Sequence, residues 1–194
     1  MGWAYKKGTG VGKDLKQAVY WFTKAAEQGD ADAQYYLGWI YWDGNGVQKN
    51  LKQAAYWYIK AAEQGNADAQ HYLGVAYKNG NGVEQNSKQA AYWFTKAAEQ
   101  GNVGAQNNLG LAYHNGNGVQ KDLKLAAYWY TKAAEQGDTL AQYNLGLLAY
   151  GNGSGVEKDK NKAKLWLTKA AEQGHVDAQK ELDNTFLSIF KKIF

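Results

Sequence analysis

Residues 31–65 read ADAQYYLGWIYWDGNGVQKNLKQAAYWYIKAAEQG, and this stretch decides the fold because it recurs along the chain. Its last five letters occur five times, and the copies end at Gly29, Gly65, Gly101, Gly137 and Gly174. The spacings between these glycines are 36, 36, 36 and 37 residues. A fixed period of this length is typical of arrays in which each repeat buries its apolar face against its neighbours.

Each unit predicts two helices joined by a glycine-containing loop. Over residues 30–43, Ala33, Leu37 and Tyr41 lie four residues apart and form one apolar stripe, and Gly44 supplies the C-cap. The second helix is expected to begin at an Asn or Asp N-cap in every unit, namely Asp14, Asn50, Asn86, Asp122 and Asp159. It is expected to bury an Ala-Trp-Ala stripe, which in the first unit is Ala18, Trp21 and Ala25.

The shared pattern is A-x-x-x-L-G-x-x-Y-x-x-G-x-G-V, then Asp or Asn, then A-x-x-W-x-x-K-A-A-E-Q-G. It resembles the Sel-1-like repeat family, relatives of the tetratricopeptide repeats, from about Met1 to Asp183. The resemblance implies an all-α, right-handed solenoid of antiparallel helix hairpins, with the first helix of each hairpin on the concave side. It also implies a binding or adaptor role, in a bacterial protein, rather than catalysis.

We divide this single repeat domain into a partial first repeat (1–29), four full repeats (30–65, 66–101, 102–137 and 138–174) and C-terminal capping helices (175–194). Met1 falls at the position of Leu37, so half of the first helix is missing, and further N-terminal sequence is one explanation. The extra residue of the fifth unit is expected in Leu147-Leu148-Ala149, where a π-bulge would absorb it.

A second stripe on the first helix differs from unit to unit. Tyr35, Trp39 and Trp42 lie about 200° around the helix from the first stripe, so they need a partner other than the core. Tetratricopeptide relatives bind peptides at these positions. We therefore predict that a concave groove binds the partner, and we call its residues the variable stripe: Trp3, Lys6, Lys7, Tyr35, Trp39, Trp42, Asp43, His71, Val75, Lys78, Asn107, Leu111, His114, Tyr143 and Leu147.

The eight tryptophans divide between the two faces. Trp3, Trp39 and Trp42 fall on the variable stripe, where they either anchor a partner or pack against neighbouring repeats. The other five recur at one position of the second helix and are predicted to be core: Trp21, Trp57, Trp93, Trp129 and Trp166.

The apolar tail predicts an amphipathic helix. Its apolar residues follow i, i+4, i+7, i+8 and i+11, at Leu182, Phe186, Ile189, Phe190 and Ile193. The favoured interpretation is a self-capping helix, since the ends of repeat arrays need caps. Docking on a membrane surface or in another molecule's groove stays open, as does self-association through this helix or through the truncated first repeat.

Composition excludes several classes of site. The chain has no cysteine, so neither a disulfide nor a thiolate site is available. Its net charge of +4 comes from scattered lysines without any arginine, which argues against sequence-specific nucleic-acid binding. His71, His114 and His175 lie apart, and no carboxylate at helical spacing completes a trio of ligands with them, so we predict no metal and no cofactor. No apolar run approaches a membrane span and no signal peptide is visible, which leaves the compartment open.

We therefore predict a non-enzymatic scaffold that binds another protein or a peptide. Two alternatives remain: a purely structural spacer, and a protein that binds or hydrolyses β-lactams, as cysteine-rich members of the wider family have been said to do. Ser188 and Lys191 match the S-x-x-K motif of serine β-lactamases, but the companion motifs are missing.

Overall fold

Every second helix begins at the Asn or Asp predicted as its N-cap. Asp14 Oδ1 accepts hydrogen bonds from the backbone amides of Lys16 and Gln17 at 2.9 and 3.1 Å, and Asn50 Oδ1 accepts one from Gln53 at 3.1 Å. These bonds satisfy amides that have no partner inside the helix. The predicted starts are confirmed in the remaining repeats as well, at Asn86, Asp122 and Asp159.

The computed structural model describes residues 1–10, 12–44, 46–150 and 159–193, with side chains up to residue 184 apart from Tyr150. Within these residues the chain is all helical, without a strand, and the predicted fold class is confirmed. The helices are α1 (Gly2–Lys7), α2 (Leu15–Glu27), α3 (Ala31–Asp43), α4 (Leu51–Glu63), α5 (Ala67–Asn79), α6 (Ser87–Glu99), α7 (Val103–Asn115), α8 (Leu123–Glu135), α9 (Thr139–Tyr150), α10 (Lys160–Glu172) and α11 (Val176–Ile193).

The chain forms two units, Met1–Asn102 and Val103–Phe194. In the first unit, consecutive helices from α1 to α6 pack in order, and α3 also touches α5. In the second, α7 to α11 pack in the same consecutive way. Both units are therefore rows of helix hairpins in which each helix contacts its neighbours in sequence.

The centre of each hairpin is an aromatic or aliphatic side chain of the second helix that lies against a glycine of the first. Tyr58 is fully buried, and a Cβ on Gly38 would lie 2.7 Å from its ring. The prediction that tryptophan fills this position was wrong. Trp57 is only partly buried and packs against the preceding core cluster, and Trp21 is 36% exposed. The buried counterparts of Tyr58 are Phe22, Phe94, Tyr130 and Leu167.

A buried glutamine links the second, third and fifth repeats to the repeat before them, a contact that the sequence pattern does not predict. Gln70 is 5% exposed, and its Nε2 donates to the carbonyl of Ala62 at 3.1 Å. Its Oε1 accepts from Gln100 Nε2 at 2.7 Å. Gln34 and Gln142 donate to Ala26 and Ala134 in the same way and accept from Gln64 and Gln173. Each of these carbonyls also accepts from a backbone amide, as Ala62 does from Gly65 at 3.0 Å, so the glutamine is a second donor that is itself buried and satisfied. We call these glutamines the glutamine ladder.

The extra residue of the fifth repeat lies after the first helix of that repeat. In the other repeats the backbone amide of the N-cap residue donates to a carbonyl nine positions earlier, as Asn50 does to Tyr41 at 2.9 Å. Asp159 donates instead to Ala149 at 3.1 Å, ten positions earlier. Because α9 is a regular α-helix through Tyr150, the predicted π-bulge was wrong. The glycine loop predicted for the fifth repeat, with Gly153, Gly155 and Val156, lies outside the described residues.

The C-terminal segment is one helix, α11, that packs against α10. Leu182 is partly buried against a core of Leu167, Ala170 and Ala178. The remaining stripe predicted to form the cap lies outside the described side chains: Phe186, Ile189, Phe190 and Ile193. Their role as a cap therefore stays a prediction.

We expect deletion of residues 184–194 to lower the melting temperature and to increase aggregation. Each Leu, Ile or Phe that a cap buries fully is worth roughly 1.5–3 kcal/mol, and the surface it covered would then be exposed. Thermal melts and light scattering of the truncated chain measure both effects. A truncated protein that keeps its melting temperature and loses self-association or liposome binding would instead support a docking tail.

Candidate functional site

The N-terminal end of the variable stripe is an aromatic cluster around one lysine. Lys6 Nζ lies 4.8 Å from the ring centroid of Trp3, 5.6 Å from that of Tyr36 and 4.5 Å from that of Trp39. Burial, and to a lesser extent the charge of Lys7, lowers the pKa of the Lys6 ammonium. We call Lys6 and these three rings the lysine cage.

The next part of the stripe packs partly against the following repeat. The ring of Tyr35 lies 6.0 Å from that of Tyr72, and the ring of Trp42 lies 6.3 Å from it. Tyr72 itself stacks on the buried Tyr58, with ring centroids 5.3 Å apart. Tyr35 and Trp42 are therefore half in the core and half in solvent, and burial raises the pKa of the Tyr35 phenol, which keeps it neutral.

The third repeat places His71 and Val75 half-buried and Lys78 exposed. The ring of His71 lies 5.3 Å from that of Tyr72 and 6.0 Å from that of Phe94. Burial lowers the pKa of His71 below its ordinary 6.5, and the charge of Lys78 adds to the effect while that of Asp68 opposes it. The neutral imidazole is thus the form that the folded state favours.

We expect the protein to lose stability as the pH falls below about 6.5, and we expect His71 to account for part of the loss. The unfolded state binds a proton near that pH, whereas the folded state resists it until the lower folded pKa is reached. Melting temperatures between pH 7.5 and 5 measure the trend. His71→Asn, which places at this position the residue found at Asn107, should flatten it.

His114 should leave a residual slope, because burial lowers its pKa as well. An unchanged slope in His71→Asn would show that His71 does not contribute. A change of the slope to the opposite sign would contradict the assignment of both histidines.

In the second unit the predicted residues lie on α7 and α9. Asn107 Oδ1 accepts a hydrogen bond from Asn144 Nδ2 at 3.3 Å, which joins the two helices. Leu111 packs against the core, and Leu147 is 36% exposed. The ring of Tyr143 stacks on His175, with centroids 4.3 Å apart and planes 23° apart. His175 in turn N-caps α11, where its Nδ1 accepts from the amide of Ala178 at 3.2 Å.

All fifteen residues of the variable stripe are at least partly accessible to solvent. Their neighbours on the same helices, such as Leu37, Leu73 and Leu109, are fully buried. Within each unit the stripe residues are thus accessible side chains that stand beside buried core residues. Asp43 and Lys7 are exposed at its edges.

A second surface, on the second helices, was missed by the sequence analysis. Tyr56 and Tyr92 are about half exposed, and the ammonium groups of Lys60 and Lys96 lie 5.1 and 5.8 Å from their ring centroids. The same pair recurs as Tyr20 with Lys24 and as Tyr128 with Lys132. The sequence carries this signal as Tyr and Lys four residues apart, beside a tryptophan that recurs at the same period.

The part of the chain that the structure describes contains no group of three or more His, Asp or Glu side chains that could hold a metal ion. None of its described helices is long and apolar enough to cross a membrane. Ser188 and Lys191 lie outside the described side chains.

Comparisons with known proteins agree on one family. The sequence model of the Sel1 repeat matches residues 1–30, 31–66, 67–102, 103–138 and 139–175. Among curated proteins, none matched the chain. The chain is similar to the solved structure of a protective antigen of uropathogenic Escherichia coli, with 42% identity and a TM-score of 0.86. That match covers 92% of this chain and 38% of the antigen, so the chain spans well under half of that protein.

Two further solved structures are similar over most of this chain. A Sel1 repeat protein from Oxalobacter formigenes has 42% identity and a TM-score of 0.84, over 93% of this chain and 72% of that one. An immunity protein from Pseudomonas aeruginosa has 26% identity and a TM-score of 0.54, over 84% of this chain and 60% of that one.

Proposed function

Because the chain belongs to the Sel1-repeat family, whose members are commonly protein-interaction scaffolds, we propose that it is a non-enzymatic scaffold that binds a protein or peptide. We place the binding face on the variable stripe of the first helices. The observation that carries this choice is the contrast within each first helix. The alanine and leucine of the first stripe repeat and are buried, as Ala69 and Leu73 are, whereas the residues of the variable stripe differ between repeats and are all partly accessible.

The chemistry of the stripe suits a protein partner. Aromatic side chains held at their base by the core lose little entropy when a partner covers them, and such anchors dominate many interfaces. The aromatic residues concentrate in the first unit, at Trp3, Tyr35, Trp39 and Trp42. His114, Leu147 and Tyr143 give the second unit a different chemistry, which supports recognition of a defined sequence over a generic apolar surface.

The proposal is tested by placing a photo-reactive amino acid at single positions. At Lys78 or Leu147, both exposed on the stripe, it is expected to capture a partner; at Tyr56 or Tyr92, exposed on the second helices, it is not. Unlabelled wild-type protein should compete for the capture, and the Lys78→Ser/Leu147→Ser variant should not. Equal capture from both faces would contradict the choice of face.

The two alternative functions have their own tests. A structural spacer should give no capture at either face and should tolerate the stripe substitutions. Turnover of a chromogenic β-lactam such as nitrocefin by the purified chain would contradict a non-enzymatic role. No observation in the described residues favours either alternative over the scaffold.

A further inference from the structure

A small cavity opens beside the lysine cage in the first unit. Its volume is about 170 Å³, and its apolar wall consists of Leu15, Ala18, Phe22, Trp39 and Ile40. Lys6 and Lys13 supply its polar groups. The cavity is large enough for one short aliphatic or aromatic group, and the cations lie on its lining.

The cage holds the ammonium of Lys6 in place. Three rings lie within 5.6 Å of Lys6 Nζ, and the rings of Trp3 and Tyr36 are themselves locked edge to face, with centroids 4.4 Å apart. A cation fixed by aromatic faces loses less freedom when it binds an anion than a lysine that moves in solvent. The lysine cage is therefore a preorganised cation.

The charged groups that line the cavity are lysines. Lys7 Nζ lies 5.3 Å from the ring centroid of Trp3. Three lysines, Lys6, Lys7 and Lys13, therefore lie at the cage or on the lining of the cavity. Among the described side chains, the ion pairs join Lys24 to Glu27, Lys162 to Asp159 and Lys180 to Asp177, and none involves these three lysines. An apolar cavity lined by lysines that form no ion pair is complementary to a ligand that carries a negative charge on a short apolar tail.

We propose that this cavity binds the C-terminal residue of a peptide, with the apolar side chain against Leu15, Phe22 and Ile40 and the carboxylate on Lys6. The inference rests on the proposed peptide-binding role and names the chemistry of the ligand at one end of the variable stripe. A free short-chain acid presents the same carboxylate and tail, so the experiment separates the two sources.

The test titrates the full chain with N-acetyl-Ala-Ala-Leu as the free acid and as the C-terminal amide, and follows tryptophan fluorescence and binding heat. The acid is expected to bind about tenfold more tightly than the amide, because only the acid makes a charge-assisted bond to Lys6. Acetyl-Ala-Ala-Asp acid should bind more weakly than the leucine peptide, since its side chain is charged. Equal binding of acid and amide would overturn the proposal.

Lys6→Met keeps an aliphatic stem in the cage and removes the charge, so it should abolish the preference for the acid. The matched control is Lys16→Met, which changes an exposed lysine of α2 outside the cavity and should keep the preference. Equal effects of the two variants would overturn the assignment to Lys6. Binding of 4-methylpentanoate without binding of the peptide would overturn the peptide assignment, because the cavity would then accept only free acids.

If Lys6→Met does not fold, the wild-type chain still decides the question. The ε-methylene protons of Lys6 should resonate upfield because of the surrounding rings, and the peptide acid should shift them saturably while the amide does not. An unshifted Lys6 signal, or one that does not respond to the acid, would overturn the proposal. These short peptides need no natural partner, so a negative result would leave photo-capture by Lys78 and Leu147 unaffected.

Discussion

Tyr58→Ala is expected to lower the free energy of unfolding by about 3–5 kcal/mol, the range for truncation of a large buried side chain. Tyr58 has no solvent exposure, fills the space opposite Gly38 and stacks on Tyr72 at 5.3 Å. Its removal leaves a cavity between α3, α4 and α5, and these packed helices would have to move to close it. Urea unfolding measures the loss, provided that the free energy of unfolding depends on urea concentration with the same slope in both proteins.

Tyr58→Phe is the matched control. The Tyr58 hydroxyl is buried and has no hydrogen-bond partner among the described residues. In two other repeats the equivalent position is already phenylalanine, at Phe22 and Phe94. Removing an unsatisfied buried hydroxyl is expected to leave stability unchanged or to raise it by about 1 kcal/mol. Trp57→Ala should cost less than Tyr58→Ala, because Trp57 is only partly buried. The reverse order would restore tryptophan as the centre of the hairpin.

Gly74→Ala is expected to lower the free energy of unfolding by about 1–3 kcal/mol, as overpacked cores do. A Cβ at this position would lie 2.6 Å from two ring atoms of Phe94, so the ring or the helix must move. The loss should be smaller when it is measured in a Phe94→Ala background, because the obstructing ring is then absent.

Gly12→Ala is the control for this substitution. A Cβ at Gly12 would meet nothing within 4 Å, so the change is expected to alter stability by no more than about 0.5 kcal/mol. A loss at Gly74 that is equally large with and without the Phe94 ring would show that helix geometry, and not the contact, makes glycine necessary.

The sequence was sufficient for the features that local chemistry determines. The N-caps at Asp14 and Asn50 and the C-cap at Gly44, which has a φ of 86°, depend on residues within one turn of the helix end. Such interactions occur wherever the helix forms, so a single chain predicts them.

Choices that depend on the neighbouring helix could not be predicted in the same way. Trp57 and Tyr58 are adjacent aromatic residues about 100° apart around the helix, and periodicity alone does not say which one faces Gly38. Gln34 and Gln70 were overlooked because a polar letter suggests an exposed position, whereas their partners belong to other helices. Whether the variable stripe binds a partner depends on a second molecule, so it stays a prediction.

The glutamine ladder determines where local opening is cheapest. When the last hairpin of a row detaches, water replaces the partners that its glutamine loses, so an end can fray at little cost. Opening in the middle of a row deprives the buried Gln70 side chain of its bonds to Ala62 and Gln100. Amide hydrogen exchange should therefore be slower around Gln70 than in α1, and a protease should shorten the chain from its ends one hairpin at a time.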